Sequence, residues 1–146
     1  MAIISFDELK GLRKQVAMVD GGFDPLHLGH VEYFKAAAGL GFPLLCCLAS
    51  DRYVNTKHKP LLPEHYRAGV IDAIRYIDYV CINEWTTAEV LRQLQPYFYV
   101  KGKDWENRLP PAETAVCAEY DIEVVYLDTV LDSSSRILKE YLNPQG

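Results

Sequence analysis

The chain has 146 residues, about half of them apolar and a quarter charged, and a net charge of −5. This length fits a single domain over residues 1–146, and this apolar content is enough for a buried core. The acidic balance argues against a nucleic-acid partner, since proteins that coat nucleic acid present a broad basic face. No apolar run approaches the roughly 20 residues of a membrane span, so we expect no membrane partner either.

The N-terminus and the cysteines bear on cellular location. The first ten residues, MAIISFDELK, include acidic residues and no long apolar segment, so they do not resemble a secretory signal. The cysteines form no C-x-x-C pair, and most lie in apolar runs, which favours buried free thiols over disulfides or zinc ligands. We therefore expect a cytoplasmic protein. The four cysteines are Cys46, Cys47, Cys81 and Cys117.

The predicted elements alternate along the chain. Ser5, with Glu8 three residues on, has the pattern of a capping box and predicts a short helix over 6–15. Further on, apolar runs bounded by turn signals predict strands, and runs of helix formers with Pro or Gly at their ends predict helices. The predicted strands cover 15–20, 42–50, 78–82, 97–102 and 122–127. The later predicted helices cover 28–41, 63–77, 86–95, 111–120 and 133–142, and 51–62 is predicted to be a loop.

Buried strands that alternate with helices indicate a parallel sheet covered on both faces. We therefore predict an α/β fold, a Rossmann-like three-layer sandwich with a five-stranded parallel sheet. In such a sheet, ligands bind beyond the carboxyl ends of the strands, near the switch in strand order. Four polar segments follow predicted strands and are the candidates for function: DGGFDPLHLGH, ASDRYVNTKHK, VKGKDW and DTVLDSSSR.

The first segment combines glycines with two histidines. Gly21 and Gly22 allow a tight turn and close approach of a ligand, and the helix start that follows attracts anions, phosphate above all. His27 and His30 are three residues apart, so both imidazoles can face one point. Alternatively, one histidine caps the helix and the other is a partly buried core residue. Zinc is disfavoured because a third ligand at suitable spacing is missing, and a serine hydrolase because G-x-S-x-G is missing.

The second and third segments each have two interpretations. Lys57 and Lys59 either belong to a solvated loop or close over a polyphosphate as a lid. Gly102 and Asp104 follow a strand, and they either belong to an ordinary polar turn or contribute to the same site.

The fourth segment places three serines and Arg136 at a predicted helix start. A single serine there is a common cap, but three followed by arginine favour a second phosphate-binding turn. Two helix starts and several basic side chains can thus converge on one cleft. Because the chain lacks G-x-x-x-x-G-K-[ST], we predict a polyphosphate site without a Walker loop.

GGFDPLHLGH together with DSSSRIL resembles the cytidylyltransferase-like nucleotidyltransferase superfamily, and the resemblance covers residues 5–142. Two branches are most similar. The heptose 1-phosphate adenylyltransferase domain shares SD after the second strand, LLPEHYRAGVIDAIRYIDYV and YVKGKDW, although it often has glycine where Lys103 stands. Glycerol-3-phosphate cytidylyltransferase shares KGKDWE and the KHK loop, but Asp128 stands where it has arginine. Both branches usually have Thr-Thr where this chain has Ser134 and Ser135.

This resemblance implies transfer of a nucleotidyl group from ATP or CTP to a small phosphorylated sugar or alditol, with release of pyrophosphate. It implies Mg²⁺ that bridges phosphates mostly through water rather than through protein side chains, and a homo-oligomer, a dimer. The implied catalytic residues are His27, His30, Lys57 and Lys59. The implied nucleotide-binding residues are Gly22, Phe23, Lys101, Gly102, Asp104, Ser133, Ser134 and Arg136. The implied acceptor-binding residues are Asp24 and Arg67.

Three alternatives are weighed against this function. The first is a glycerol-3-phosphate-type cytidylyltransferase. The second is a non-catalytic nucleotide-binding regulatory protein, whose signature would be loss of a histidine or of the serine motif, and neither is lost. The third is a redox or flavin-binding protein, which requires the G-x-G-x-x-G pattern that this chain lacks.

Overall fold

The apolar runs form the strands of one parallel sheet in the computed structural model, which describes residues 2–128. Within that range the sheet has six strands in the order β1-β4-β3-β2-β5-β6. The strands are β1 Ala2–Ile3, β2 Ala17–Gly21, β3 Leu44–Ala49, β4 Tyr79–Asn83, β5 Phe98–Gly102 and β6 Glu123–Leu127. The chain therefore fills one side of β2 first and then the other, so the order of strands switches at β2.

Helices connect the strands, and their starts follow the capping signals. The Ser5 N–H donates to Glu8 Oε1 at 3.0 Å, which confirms the capping pattern, and the turn that follows is a 3-10 helix over Phe6–Leu12. The α-helices are α1 Leu28–Ala38, α2 Asp51–Val54, α3 Glu64–Asp72, α4 Thr87–Leu94 and α5 Pro111–Glu119, and a second 3-10 turn covers Lys103–Trp105.

Alternate residues of each strand face opposite sides of the sheet and divide the core in two. On β2, Met18 packs into the cluster formed with α4 and α5, whereas Ala17 and Val19 pack into the cluster formed with α1 and α3. Both faces are thus covered, which confirms the three-layer α/β prediction. All four cysteines are buried and free.

The structure differs from the prediction at a few elements. The sheet has six strands rather than five because Ala2–Ile3 pairs with β4, and two residues are too few to show a periodic pattern. Asp51–Val54 is a short helix in the predicted loop, capped by Ser50, and α3 ends at Asp72 rather than at residue 77. The predicted helix 133–142 lies outside the described residues. Within residues 2–128, no helix has the length and apolarity needed to cross a membrane.

A crevice opens where the strand order switches. The β2–β3 ladder covers five residue pairs, whereas the β2–β5 ladder covers only Ala17–Phe98 and Met18–Tyr99. Backbone pairing between β2 and β5 thus stops before their carboxyl ends, and side chains fill the gap. This is the place where open α/β sheets bind ligands.

Gly21 ends β2 and Gly22 follows it, and these two residues, called the glycine turn below, make a matched test of the local packing. A Cβ on Gly21 would lie 2.9 Å from the Phe23 ring, whereas one on Gly22 meets only Val54 Cγ2, at an ordinary 3.5 Å. We expect Gly21→Ala to lower the free energy of unfolding by about 1–3 kcal/mol through overpacking. Gly22→Ala should change it by about 0.5 kcal/mol or less. Urea unfolding of both variants measures this difference, and equal midpoints would contradict it.

Candidate functional site

A cleft with two lobes lies beyond the carboxyl ends of β2 to β5. The histidine lobe contains His30, Tyr33, His58 and Asp104. The threonine lobe contains residues from the ends of β3 and β4, the segment that follows β4, and the start of α5, namely Cys47, Ala49, Asn83, Trp85, Thr86, Thr87, Pro110 and Glu113. Both lobes share a wall formed by Asp20, Gly21, Gly22, Tyr53, Lys57, Lys101 and Trp105.

The two histidines occupy the start of α1. His27 is the N-cap, and its Nδ1 accepts a hydrogen bond from the Gly29 N–H at 3.0 Å. His30 Nδ1 accepts from the His27 N–H at 3.2 Å, and the two rings stack with centroids 3.7 Å apart. Because each Nδ1 is an acceptor, the neutral form of each imidazole carries its proton on Nε2. His30 therefore contributes an N–H donor to the histidine lobe.

Burial keeps His30 uncharged. Burial, and secondarily the neighbouring His27, lower the pKa of His30 from its ordinary 6.5 to about 4. The Phe23 ring meets His30 edge-on at 4.8 Å and also packs against Phe34 at 5.1 Å. Phe23 thus fixes the His30 ring as well as lining the cleft, and its contact with nucleotide stays a prediction.

Arg67, predicted to contact the acceptor, has a different role in the structure. Its side chain is only 1% exposed, and its guanidinium donates to Asp51 Oδ1 at 2.7 Å. It also donates to three backbone carbonyls at 2.8–2.9 Å, those of Gly22, Ala49 and Leu62. Because all the groups that bind it belong to the protein, Arg67 is a positioning residue. It joins the glycine turn to the end of β3 and to the end of the segment 55–62, which carries Lys57 and Lys59 and is called the lysine loop below.

Asp24 holds the same end of that loop through its N–H groups. Its carboxylate accepts from the Leu61 N–H at 2.8 Å and from the Leu62 N–H at 3.1 Å, and it is 2% exposed. Asp24 lines the histidine lobe, but its two oxygens are engaged by the backbone. The structure therefore gives it the task of holding the loop rather than the predicted contact with the acceptor.

The two predicted lysines of this loop differ in position. Lys57 lines both lobes, with its Nζ 5.2 Å from the centroid of the Tyr53 ring. Lys59 is exposed and is not among the residues that line either lobe. Between them, His58 lines the histidine lobe and has Nδ1 4.0 Å from the Asp24 carboxylate. The loop thus brings one of its two lysines to the cleft.

Lys101 is a buried charge at the end of β5. Its Nζ lies 2.8 Å from Asp20 Oδ1 and 4.2 Å from the centroid of the Trp105 ring. The ion pair spans the gap where β2 and β5 no longer pair through their backbones. Gly102 and Asp104 follow it and line the histidine lobe, and their binding of nucleotide stays a prediction.

Three predicted nucleotide-binding residues lie outside the described part of the chain, namely Ser133, Ser134 and Arg136. Among residues 2–128, no group of three or more His, Cys, Asp or Glu side chains is arranged to hold a metal ion. The Asp20 and Asp24 carboxylates in the cleft are engaged by Lys101 and by backbone N–H groups, respectively.

Sequence reasoning missed the roles of Asp20, Tyr99 and Glu113. Tyr99 OH lies 2.7 Å from Glu113 Oε1 and 3.2 Å from Asp20 Oδ2. Asp20 lies near the end of β2, just before the glycines. A charged residue at the end of a buried strand indicates a ligand-binding edge, so the sequence did contain a signal for Asp20. Tyr99 lies within an apolar run and Glu113 on an ordinary helix, so only the three-dimensional contact reveals them.

Comparison with known proteins identifies the family. A family model described as Cytidylyltransferase-like matches residues 18–142. The bifunctional protein HldE of Trichlorobacter lovleyi is 40% identical over 107 residues, which cover 70% of this chain and 21% of that protein. The HldE protein of Campylobacter fetus is 33% identical over 135 residues, which cover 88% of this chain and 28% of that protein. The chain thus spans between a fifth and somewhat over a quarter of the length of these relatives.

Solved structures share the fold. A lipopolysaccharide core biosynthesis protein from Thermoplasma volcanium matches with a TM-score of 0.65 at 22% identity, over 78% of this chain and 96% of that one. A protein of unknown function from Archaeoglobus fulgidus matches with a TM-score of 0.59 at 20% identity, over 81% and 93%. The family match supports the prediction of a nucleotidyltransferase enzyme. With the H-x-G-H histidines beside the glycine turn, the chain belongs to the Cytidylyltransferase-like family.

Proposed function

We propose that this chain transfers a nucleotidyl group from ATP or CTP to a small phosphorylated sugar or alditol and releases pyrophosphate. The observation that carries the proposal is the pair of histidines at the start of α1, each with Nδ1 held by a backbone N–H. This arrangement leaves Nε2–H as the donor of a neutral ring. A donor fixed before substrate arrives can stabilise charge that develops at a phosphorus atom.

The surroundings of His30 suit a triphosphate. The N-terminus of α1 carries partial positive charge, and the glycine turn allows phosphate to approach the backbone. Lys57 adds a cation on the wall that the two lobes share. We assign the nucleoside to the part of the histidine lobe lined by Gly102 and Asp104. Ser133, Ser134 and Arg136 stay predictions for the β- and γ-phosphates.

The proposed reaction needs no general base. An oxygen of the acceptor phosphate attacks the α-phosphorus in line, a new P–O bond forms, and the bond to pyrophosphate breaks with its electron pair. The acceptor phosphate is already ionised, so the protein contributes position and charge stabilisation. His30 Nε2 donates to the α-phosphate region, and Lys57 neutralises the acceptor phosphate. His27, which is not among the residues that line either lobe, contributes by stacking on the His30 ring. Lys59, exposed outside the cleft wall, is proposed to add long-range attraction for the phosphates.

Mg²⁺ fits this site as an ion carried by the nucleotide. Because Asp20 and Asp24 are engaged by protein groups, phosphate oxygens and water would supply its ligands. When bound, it supplies neutralisation of phosphate charge.

The HldE relatives favour an ADP-heptose-synthase-like activity for this chain over the glycerol-3-phosphate type. The resemblance in YVKGKDW and LLPEHYRAGVIDAIRYIDYV supports the same branch. We therefore propose a heptose 1-phosphate or similar sugar phosphate as acceptor and ATP as donor. The homodimer and the cytoplasmic location stay predictions.

The function test is pyrophosphate release from each of four nucleoside triphosphates with a panel of sugar and alditol phosphates. His30→Ala should lower kcat by roughly 10²-fold or more, because it removes a transition-state donor. His65→Ala is the matched control, since His65 is exposed on α3 and lies outside the cleft walls. Turnover of His30→Ala equal to that of His65→Ala would contradict the assignment.

The uncharged state of His30 makes a separate prediction for stability. Its pKa is about 4 in the folded protein and near 6.5 when unfolded, so the unfolded chain binds the proton more readily between these values. The contribution of the uncharged His30 to the free energy of unfolding is therefore fully present above about pH 6.5 and is lost as the pH drops toward 4. From pH 7 to 5, His30 should account for a loss of about 1–2 kcal/mol.

The measurement is urea unfolding at pH 7 and pH 5 for the wild type and His30→Gln. The variant should lose less stability on acidification, because it lacks the imidazole whose protonation opposes folding. An equal loss in the two proteins would show that His30 has an ordinary pKa.

A further inference from the structure

The threonine lobe adjoins the proposed phosphate site but differs from it in chemistry. Its wall includes uncharged hydrogen-bonding side chains, an indole ring and one carboxyl group; these residues are Asn83, Thr86, Thr87, Trp85 and Glu113. The cations among its described lining residues are Lys57 and Lys101, both on the wall shared with the histidine lobe. Lys101 is already paired with Asp20. A ligand that reaches from Lys57 into this lobe therefore passes from a cationic surface to one lined by hydroxyl, amide and carboxyl groups.

Glu113 is held in that wall by a buried phenol. Tyr99 is fully buried, and its hydroxyl lies between Glu113 Oε1 at 2.7 Å and Asp20 Oδ2 at 3.2 Å. One phenolic hydrogen cannot serve two carboxylates at once. Because Lys101 also donates to Asp20 at 2.8 Å, Asp20 is the better compensated carboxylate, and Glu113 is the one of the two that takes up a proton more readily.

The surroundings of Glu113 shift its carboxyl group toward the neutral form. Burial raises the pKa of Glu113, the nearby Asp20 raises it further, and the Tyr99 hydrogen bond and Lys101 oppose the rise. A neutral carboxyl group attracts an ammonium ion weakly but pairs well with a hydroxyl group. A second anionic group on the ligand finds no unpaired cation among the described residues of this lobe beyond Lys57.

We propose that Glu113 is a specificity-determining residue that binds a hydroxyl group on the carbon skeleton of the acceptor, and that Tyr99 is the residue that positions it. The acceptor phosphate lies near Lys57, and its hydroxylated carbon chain extends into the threonine lobe, where Thr87 and Asn83 offer further hydrogen bonds. The acceptor is thus a polyhydroxylated phosphate with no second charged group in this lobe. This inference rests on the proposed function.

The test uses purified full-length chain and pyrophosphate release with ATP and CTP. The acceptors are a heptose 1-phosphate, a hexose 1-phosphate, ribose 5-phosphate and glycerol 3-phosphate, together with deoxy forms of the most active one. Propyl phosphate and phosphoethanolamine serve as acceptors without hydroxyl groups and with an ammonium group. The variants are Glu113→Ala, Glu113→Gln and Tyr99→Phe, and Glu119→Gln is the control because Glu119 is exposed on the same helix.

We expect Glu113→Ala to raise KM for the hydroxylated acceptor about tenfold, which corresponds to one lost hydrogen bond, and to leave KM for the nucleotide within about twofold. Glu113→Gln should stay near the wild type, since an amide also pairs with hydroxyl groups. Tyr99→Phe should raise the same KM about threefold without a change in kcat. One deoxy acceptor should react equally with the wild type and Glu113→Ala.

The outcomes separate the two proposals. If no combination releases pyrophosphate, the proposed function is wrong and this inference is wrong with it. If pyrophosphate is released but Glu113→Ala leaves KM for the acceptor unchanged, or raises both KM values equally, only the inference is overturned. The inference is also overturned if phosphoethanolamine is the best acceptor and Glu113→Gln is as impaired as Glu113→Ala, because that pattern indicates that Glu113 binds an ammonium group.

Discussion

The guanidinium of Arg67 is the constraint on which the shape of the cleft depends. It is buried, and it binds the carbonyls that end the glycine turn, β3 and the lysine loop as well as the carboxylate of Asp51. These segments are far apart in sequence and would otherwise leave buried polar groups without partners, which is costly. With Arg67 in place, the backbone at Gly22 and the lysine loop have fixed positions before any ligand binds. Preorganised geometry of this kind is what phosphoryl and nucleotidyl transfer require.

The Asp20–Lys101 ion pair completes the cleft on its other side. It lies across the gap between β2 and β5, where backbone pairing has ended, and its Nζ also contacts the Trp105 ring. Burying a lone charge there would be costly, so the two side chains depend on each other. Through Tyr99 the same pair is linked to Glu113 in the second lobe. A residue at the phosphate end and one at the proposed acceptor end thus share one network.

Much of this architecture was predictable from the sequence because it depends on local patterns. Alternating apolar runs and helices predicted the parallel sheet, and the glycines and His30 lie at the cleft beyond the strand ends, where the sequence predicted the candidate site. Short elements were missed because a two-residue strand has no period. The family resemblance implied that Arg67 and Asp24 contact the acceptor. Sequence alone could not show that both charges are directed at backbone groups, which is a matter of tertiary contacts.

In the proposed mechanism one preformed cleft holds the triphosphate against His30 and the acceptor toward Glu113. A crystal structure of the 146-residue chain with α,β-methylene-ATP is the most direct test of this arrangement. We expect the α-phosphate within hydrogen-bond distance of His30 Nε2, the nucleoside beside Gly102 and Asp104, and the threonine lobe free of nucleotide. A nucleotide whose base fills the threonine lobe, or whose phosphates lie away from the start of α1, would contradict it.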